Sequence, residues 1–191
     1  KNSYSSEAIY EKGAYSYYGL GSVSYGGFLY LDATLRNDNS STLPKDNDSY
    51  WYHSENMSLL FSKLLGIESN IFNLGKIRGS YARVGNDTSP YRTQAVYTID
   101  QTVTLPYTVA SIPSNLPDFD LRPETSDSWE IGTELGFFNN RLQLDFTYYQ
   151  TETKDQIMAV PISATTAYDS KVVNAGTISN KGIEFQLNST P

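Results

Sequence analysis

Two runs of alternating hydrophobic and polar residues, joined by Asn139-Asn140, form the clearest pattern in the chain. Within residues 129–137 and again within 142–149, apolar side chains recur at alternate positions, and polar residues or glycines fall between them. Successive side chains of a strand point to opposite faces, so the pattern predicts an antiparallel hairpin with one apolar face and one polar, charged face. Such a hairpin is typical of two settings: a soluble sheet packed on a core, and a membrane barrel whose apolar face meets lipid.

Similar patterns predict five further strands, which makes about seven in all, each bounded by turn residues. Residues 64–73 have room for one helical turn, and residues 94–104 are strand-like within a longer loop. The sequence therefore predicts an all-β fold. The five further strands are residues 14–25, 28–37, 52–63, 74–84 and 182–188.

The connections between these strands alternate in length. In an up-and-down sheet, this alternation places every long loop at one end and every short turn at the other. Outer-membrane barrels have this asymmetry, with short periplasmic turns and long extracellular loops, so the pattern favours a barrel. The short connections are 26–27, 64–73 and 139–140, and the long polar connections are about 37–51, 85–128 and 154–181.

Charged residues occupy strand positions opposite the apolar ones. In a soluble sandwich they would meet water, and in a wide barrel they would face a wet lumen or a plug. They are Asp32, Arg36, Arg78, Glu130, Glu134, Asp145 and Glu184. Aromatic residues near the predicted strand ends suit the girdles at two membrane interfaces, although β-propensity alone also accounts for them. They are Tyr25, Phe28, Tyr52, Trp129, Phe137, Phe138, Tyr148 and Tyr149.

The composition narrows the classes of function. A net charge of −7 argues against nucleic acid as a partner, because phosphates are neutralised by basic patches. Cysteine is absent, which excludes a disulfide framework and a cysteine zinc site. No apolar run approaches the ~18 residues of a transmembrane helix. The chain begins at Lys1 without a signal peptide, so we expect a mature domain or an excised piece.

The motifs of catalytic and metal sites are absent from the sequence. His53 is the only histidine, no G-x-S-x-G or H-E-x-x-H motif surrounds it, and we expect it at the edge of a loop. Asp46-Asn47-Asp48 and Asp118-Phe119-Asp120 carry oxygen ligands suited to calcium, but they lack EF-hand spacing, so turn formation is favoured. We therefore expect no enzyme, no cofactor and no metal site.

The long loops carry the best candidates for ligand binding. Their aromatic side chains lie among Asn, Gln, Ser, Thr and Asp, a mixture that can stack on sugar rings or line a peptide groove. The alternative is that they pack within their own loops or against a partner. The candidates are Tyr91, Tyr97, Tyr107, Phe119 and Tyr168.

Five stretches of the chain, in order, resemble the SusC/RagA-like TonB-dependent outer-membrane transporters of Bacteroidetes. Each stretch alone is a weak signal, but five in the same order with plausible spacing are a strong one, and they cover nearly the whole chain. They are residues 30–38 with 40–41, residues 74–87, residues 121–125 with 128–132, residues 137–142 with 145 and 147–149, and residues 174–176 with 180–184.

The resemblance implies a fold and a place within it. Residues 1–191 would be one segment of antiparallel up-and-down strands in the later part of a transmembrane β-barrel of ~22 strands. The plug domain, the TonB box and the remaining strands would lie outside this segment. An isolated arc of wall has two open edges and an apolar face, so we expect it to be unstable without the rest of its barrel.

The resemblance also implies a function: import of glycans or peptides across the bacterial outer membrane. A SusD-like lipoprotein would form a lid on the outside, and TonB would supply energy through the plug. The seven strand charges would hold the plug and line the route, while the apolar face would meet outer-membrane lipid.

Two other classes of protein remain open from the residues themselves. A soluble, secreted β-sandwich that binds carbohydrate, such as an adhesin, would pack its apolar faces together and fold alone. A glycan-active enzyme would use a closely spaced carboxylate pair on one strand face, such as Glu130 and Glu134.

Overall fold

The computed structural model of the chain describes residues 9–67, 69–100 and 109–190. Most of the regular structure in these residues is β-strand. In chain order the strands are β1 (Ala14–Tyr25), β2 (Leu29–Ser40), β3 (Ser49–Leu59), β4 (Phe72–Asn86), β5 (Thr98–Asp100), β6 (Val109–Ser111), β7 (Asn115–Leu116), β8 (Glu124–Phe137), β9 (Leu142–Lys154), β10 (Ile157–Pro161), β11 (Ser170–Asn174) and β12 (Thr177–Ser189). The helical segments are α1 (Phe61–Leu64) and a 3-10 turn at Ala164–Thr166. Within the described ranges, no helix is long and apolar enough to cross a membrane.

The long strands of the described residues form one seven-stranded sheet in the order β1-β2-β3-β4-β8-β9-β12. Every pairing between neighbours is antiparallel, and every neighbour in the sheet is the next long strand along the chain. The predicted all-β, up-and-down architecture with about seven strands is therefore confirmed.

The strand ends differ from the predicted ones mainly at the side of the long connections. β1 has the predicted bounds, whereas β2, β8 and β9 continue beyond them, because their polar residues keep pairing with neighbouring strands. The predicted strand 52–63 ends early, at Leu59, because α1 begins at Phe61. The Phe61 ring lies 6.1 Å from that of Phe72, over the backbone of Gly75, where any side chain would collide with it.

The two faces of the sheet follow from the strand register, because directly paired residues project to the same side. Leu31 of β2 pairs with Val23 of β1 and with Met57 of β3, and the apolar row continues across the sheet. Nothing in the described structure covers this face: Ile131 is 52% exposed and Ile183 is 65% exposed. The expectation for a soluble sandwich, that the apolar faces pack together, is therefore wrong.

The buried hydrophobic core of the described residues lies among the long connections and not on the sheet. Leu43, Leu121 and Val172 are almost completely buried, with Tyr50 and Ile157 packed against them. We call the segments that meet here, residues 41–48, 118–123 and 155–176, the loop cluster.

Short strands give the long connections regular structure, of which the sequence pattern revealed only the stretch around β5. β11 pairs with β10 in antiparallel fashion and with β7 in parallel, and β5 pairs with β6. The strand-like stretch predicted at 94–104 contains β5, and its residues after 100 lie outside the described ranges. The predicted alternation remains: long connections (41–48, 87–123, 155–176) and short ones (26–28, 60–71, 138–141) lie at opposite ends of the sheet.

Candidate functional site

All seven predicted strand charges lie on the polar face of the sheet. The strand register shows this, because directly paired residues share a face: Glu130 pairs with Ser80 and Tyr149, and Glu134 pairs with Lys76 and Asp145. That this face lines a lumen or holds a plug stays a prediction. The seven charges are Asp32, Arg36, Arg78, Glu130, Glu134, Asp145 and Glu184.

The centre of the polar face is a link between three strands. Arg78 of β4 reaches across β8 and donates two parallel hydrogen bonds of 2.9 Å to the Asp145 carboxylate of β9. It also donates to Thr147 Oγ1 at 2.6 Å. Gly132 lies between Arg78 and Thr147 in the register, and a Cβ there would be 2.8 Å from Arg78 Nε. Because Gly132 has no side chain, the Arg78 guanidinium can cross β8 at this position and reach Asp145.

A second ion pair lies beside the first, with Lys76 Nζ 3.3 Å from Glu134 Oε2. Two shallow polar depressions, of about 250 and 190 Å³, lie next to these pairs. Glu130 borders both of them, Glu184 borders the larger and Asp32 the smaller. Within the described residues these three carboxylates have no ion-pair partner, so they are free to accept hydrogen bonds from another surface.

Arg36 belongs to a separate polar group near the long connections. Its Nε donates to Asp38 Oδ1 at 2.7 Å and its Nη2 donates to Ser16 at 3.1 Å. Tyr52 donates to the other Asp38 oxygen at 2.5 Å, and its ring lies 5.7 Å from the Arg36 guanidinium.

Two of the aromatic residues predicted for the membrane girdles lie on the polar face. Tyr52 pairs with Arg36 and Tyr149 pairs with Glu130, and directly paired residues project to the same side of the sheet. The interpretation of Tyr52 and Tyr149 as girdle residues is therefore wrong.

Aromatic residues cluster at the short-connection end of the apolar face, where Phe72 lies 5.4 Å from Phe137 and Tyr25 lies 5.6 Å from Phe28. The Trp129 and Tyr148 rings are 5.2 Å apart, but this pair lies near the middle of β8 and β9.

The prediction that His53 lies at the edge of a loop is wrong. His53 lies in the middle of β3, on the apolar face of the sheet. It pairs with Leu35 of β2, which fixes its side of the sheet. Its Nδ1 lies 2.7 Å from Glu55 Oε1, and its ring lies 5.7 Å from that of Tyr81. His53 and Glu55 are polar residues at positions that would continue the apolar alternation of β3, and this break in the pattern led to the wrong prediction for His53.

Asn174 joins two segments of the loop cluster, and Glu124 links the cluster to the start of β8. Asn174 Oδ1 accepts a hydrogen bond from the Arg122 N–H at 2.8 Å, and its Nδ2 donates to the Arg122 and Asp155 carbonyls, each at 2.8 Å. Glu124 Oε1 accepts from the Ile157 N–H at 2.7 Å. Sequence reasoning did not single out Asn174, although it lies in one of the five stretches that carry the resemblance.

Asp87 makes a similar connection at the same end of the sheet, nearer β1 and β2. Lys12 Nζ lies 2.6 Å from Oδ2 and 2.7 Å from Oδ1, and Ser40 donates to Oδ2. Burial alone would raise the pKa of the Asp87 carboxyl, but the hydrogen bonds from Lys12 and Ser40 outweigh burial, so its pKa is lowered.

The predicted loop aromatics do not form one described cluster. Tyr97 and Phe119 are largely exposed, and Tyr168 is partly buried. Tyr91 lies 6.4 Å from the ring of Tyr10, and Tyr107 lies outside the described residues. Their binding role stays a prediction.

The structure gives the carboxylate-pair hypothesis no support. Glu130 and Glu134 are four residues apart on β8, which is ~13 Å at ~3.3 Å per residue, too far for the two carboxyls of a glycosidase. The expected close spacing is therefore wrong, and Lys76 already contacts Glu134.

The aspartate-rich stretches form turns and contacts between loops. Asp120 N–H donates to Asp118 Oδ1 at 3.1 Å, and Asn47 donates to the Leu121 carbonyl at 3.1 Å. Across the described ranges, no three potential metal-binding side chains come together.

Comparison with known proteins gives the chain a family. Residues 2–190 match the family model described as "TonB dependent receptor-like, beta-barrel". TonB-dependent receptor P3 of Formosa agariphila is 31% identical over 179 residues, which are 91% of this chain and 18% of that protein. TonB-dependent receptor SusC of Bacteroides thetaiotaomicron is 30% identical over 73 residues, which are 38% of this chain and 7% of SusC.

A solved structure described as the RagAB peptide transporter superposes on the chain with a TM-score of 0.83 and 27% identity. The match covers 92% of this chain and 20% of the RagAB chain, so this chain spans about a fifth of the length of the proteins that it resembles. Its seven paired strands have the fold of part of a transporter barrel, and its homologues are receptors and transporters. The chain belongs to the TonB-dependent receptor-like β-barrel family, as a SusC/RagA-like segment of the barrel wall.

Proposed function

We propose that this segment forms part of the wall of an outer-membrane transporter that imports glycans or peptides together with a SusD-like surface lipoprotein. The observation that carries the proposal is the separation of the two faces across seven paired strands. An uncovered apolar face suits contact with lipid, and a charged face suits a hydrated lumen. The long connections would lie outside the cell, and the short ones in the periplasm.

The polar face would hold the plug through the carboxylates that lack an ion-pair partner in the described structure, Asp32, Glu130 and Glu184. Arg78 and Asp145 bind each other, so they would stiffen the wall instead of contacting the plug directly. TonB would act on the plug, and its energy would reach this segment only through such contacts.

Peptides are the favoured substrate, because the similar RagAB structure is described as that of a peptide transporter. Tyr91, Tyr97, Tyr107, Phe119 and Tyr168 would meet the substrate or the lipoprotein lid. Flat aromatic faces with neighbouring amides and hydroxyls suit either role.

Uptake of labelled peptides and oligosaccharides by cells that carry the complete transporter tests this proposal. We expect uptake to require both TonB and the lipoprotein, and expect a Phe119→Ala, Tyr97→Ala double variant to lower it. A Leu64→Ala variant, at the short-connection end, is the matched control. Uptake that continues unchanged without TonB would contradict the proposal.

A further inference from the structure

The three short connections of the described sheet are joined to one another by backbone hydrogen bonds. The Leu60 N–H donates to the Phe28 carbonyl at 2.7 Å, and the Phe138 N–H donates to the Ile71 carbonyl at 2.8 Å. These bonds hold neighbouring connections side by side, so their side chains form one surface. We call this surface the short-end rim; it consists of residues 26–28, 60–67, 69–71 and 138–141.

The helical turn α1 places part of this rim on the apolar side of the sheet. The Phe61 ring lies over Gly75, which pairs with Leu135 on the apolar face. Because Gly75 has no side chain, the ring rests on the backbone of β4, 6.1 Å from the Phe72 ring. In the proposed barrel α1 therefore lies on the outside of the wall, beside the aromatic residues at the short-connection end.

The rim exposes large apolar side chains that no other part of a barrel would cover. Leu65, Ile71 and Phe138 are each more than half exposed. The connection between β3 and β4 lies in the middle of the described sheet, whereas the remaining wall would join the sheet at its edges, β1 and β12. A plug would lie against the opposite, polar face. The rim is therefore left to contact either lipid or a separate protein.

The charges of the rim favour lipid. Its described residues include the cations Lys63 and Arg141 and no carboxylate, and Glu68 lies outside the described residues. Neither cation has an ion-pair partner in the described structure. Lys63 Nζ lies against Gly27, where an added Cβ would collide with it, so this charge is held within the rim. Apolar side chains beside unpaired cations are typical of elements at the boundary between acyl chains and phosphate headgroups.

We infer that the short-end rim docks on phospholipids of the periplasmic leaflet, with a headgroup phosphate on Lys63. Leu65 and Ile71 lie at the boundary between the headgroups and the acyl chains. The inference rests on the proposed function, because it needs the apolar face to meet lipid and the short connections to lie in the periplasm. It adds a membrane contact beyond the strands, made by the connections themselves.

Spin labels on single cysteines of the complete transporter, reconstituted in phospholipid vesicles, test the inference. A label at Leu65→Cys should be more accessible to oxygen, which concentrates among acyl chains, than to a water-soluble nickel chelate. Phe119→Cys is the matched control, since Phe119 is a similarly exposed apolar residue on a long connection, and its label should show the reverse order. Nickel access at position 65 equal to that at position 119 would overturn the inference.

Native mass spectrometry of the complete transporter with phosphatidylglycerol tests the phosphate contact. We expect Lys63→Gln to lower the retention of this lipid roughly fivefold, as for the loss of one cation at an anionic membrane surface. Lys45→Gln removes an exposed cation from a long connection and should leave retention unchanged. Unchanged retention in Lys63→Gln would overturn the inference.

A spin label at Ile183→Cys separates failure of this inference from failure of the proposed function. Ile183 lies on the apolar face in the middle of β12, so its label should also favour oxygen. Lipid at position 183 with water at position 65 would overturn the rim contact alone, whereas water at position 183 would overturn the wall assignment as well. A label at position 65 that neither oxygen nor the nickel chelate reaches would assign the rim to a protein partner and also overturn the inference.

Discussion

Arg78 on β4 and Asp145 on β9 are joined by two parallel 2.9 Å hydrogen bonds across the intervening strand β8. Each side chain is only about one-third exposed, at 33% and 28%, and the fork geometry suits guanidinium and carboxylate. The pair therefore ties three consecutive wall strands together through side chains as well as through the backbone.

Replacing Arg78 should weaken the wall. Arg78→Lys loses the pair of parallel hydrogen bonds, and Arg78→Ala leaves Asp145 with the Thr147 hydroxyl as its remaining donor. We expect the free energy of unfolding to fall by ~1 kcal/mol for the lysine variant and by ~2 kcal/mol for the alanine variant. The temperature at which the complete transporter loses its heat-modifiable mobility on gels would report both. Lys76→Ala removes a single, longer contact and should cost less. An equal shift for Lys76→Ala and Arg78→Ala would contradict the account.

Gly132→Ala should destabilise the barrel by ~1–3 kcal/mol, because the new methyl group would displace the Arg78 guanidinium and approach the Phe146 carbonyl at 3.1 Å. Gly79→Ala is the matched control, since its Cβ would make only ordinary contact at 3.8 Å. Urea midpoints of the two variants in detergent would compare them. A Gly132→Ala midpoint equal to that of Gly79→Ala would show that Arg78 does not need the open path.

The sheet was predictable because its signal is local. Alternation along each strand, together with turns at Gly26-Gly27 and Asn139-Asn140, fixes strand number, order and faces. The prediction for His53 was wrong because it is a polar residue on the apolar face, where the alternation of the strand breaks. The loop cluster was not predicted for another reason. Leu121 and Val172 are distant in sequence, and no local sequence pattern predicts that they pack together.

Asn174→Ala should loosen the loop cluster, because it removes one acceptor and two donors that hold Arg122 and Asp155. We expect hydrogen exchange of residues 118–123 and 155–176 to accelerate by ten- to a hundredfold, corresponding to ~1.5–3 kcal/mol. Asn174→Asp keeps the acceptor alone and should lie between wild type and alanine. Asn70→Ala, at an exposed turn residue, should leave exchange unchanged; acceleration confined to the sheet in Asn174→Ala would refute the assignment.

The Asp87 connection should depend on pH in one direction. Its pKa in the folded chain is below the ordinary 3.8, so the interaction stabilises the folded state above that value and is lost as pH falls through the lowered pKa. Exchange of the Gly13 and Ser41 amides, corrected for intrinsic rates, should thus be constant between pH 5 and 8 and accelerate in stronger acid. Asp87→Asn should show the accelerated exchange at neutral pH. Slower hydrogen exchange of these amides on acidification would contradict the prediction.

The central claim is that one face of the sheet meets lipid and the other meets water, and single cysteines along β8 test it most directly. The chain has no cysteine of its own, so Ser126, Ser128 and Glu134 on the polar face, and Ile131, Thr133 and Leu135 on the apolar face, can each be replaced in a cysteine-free background of the complete transporter. A water-soluble, membrane-impermeant maleimide should label the first three in intact outer membranes and spare the second three. Labelling of Ile131, Thr133 and Leu135 as fast as that of the polar-face positions would contradict the claim.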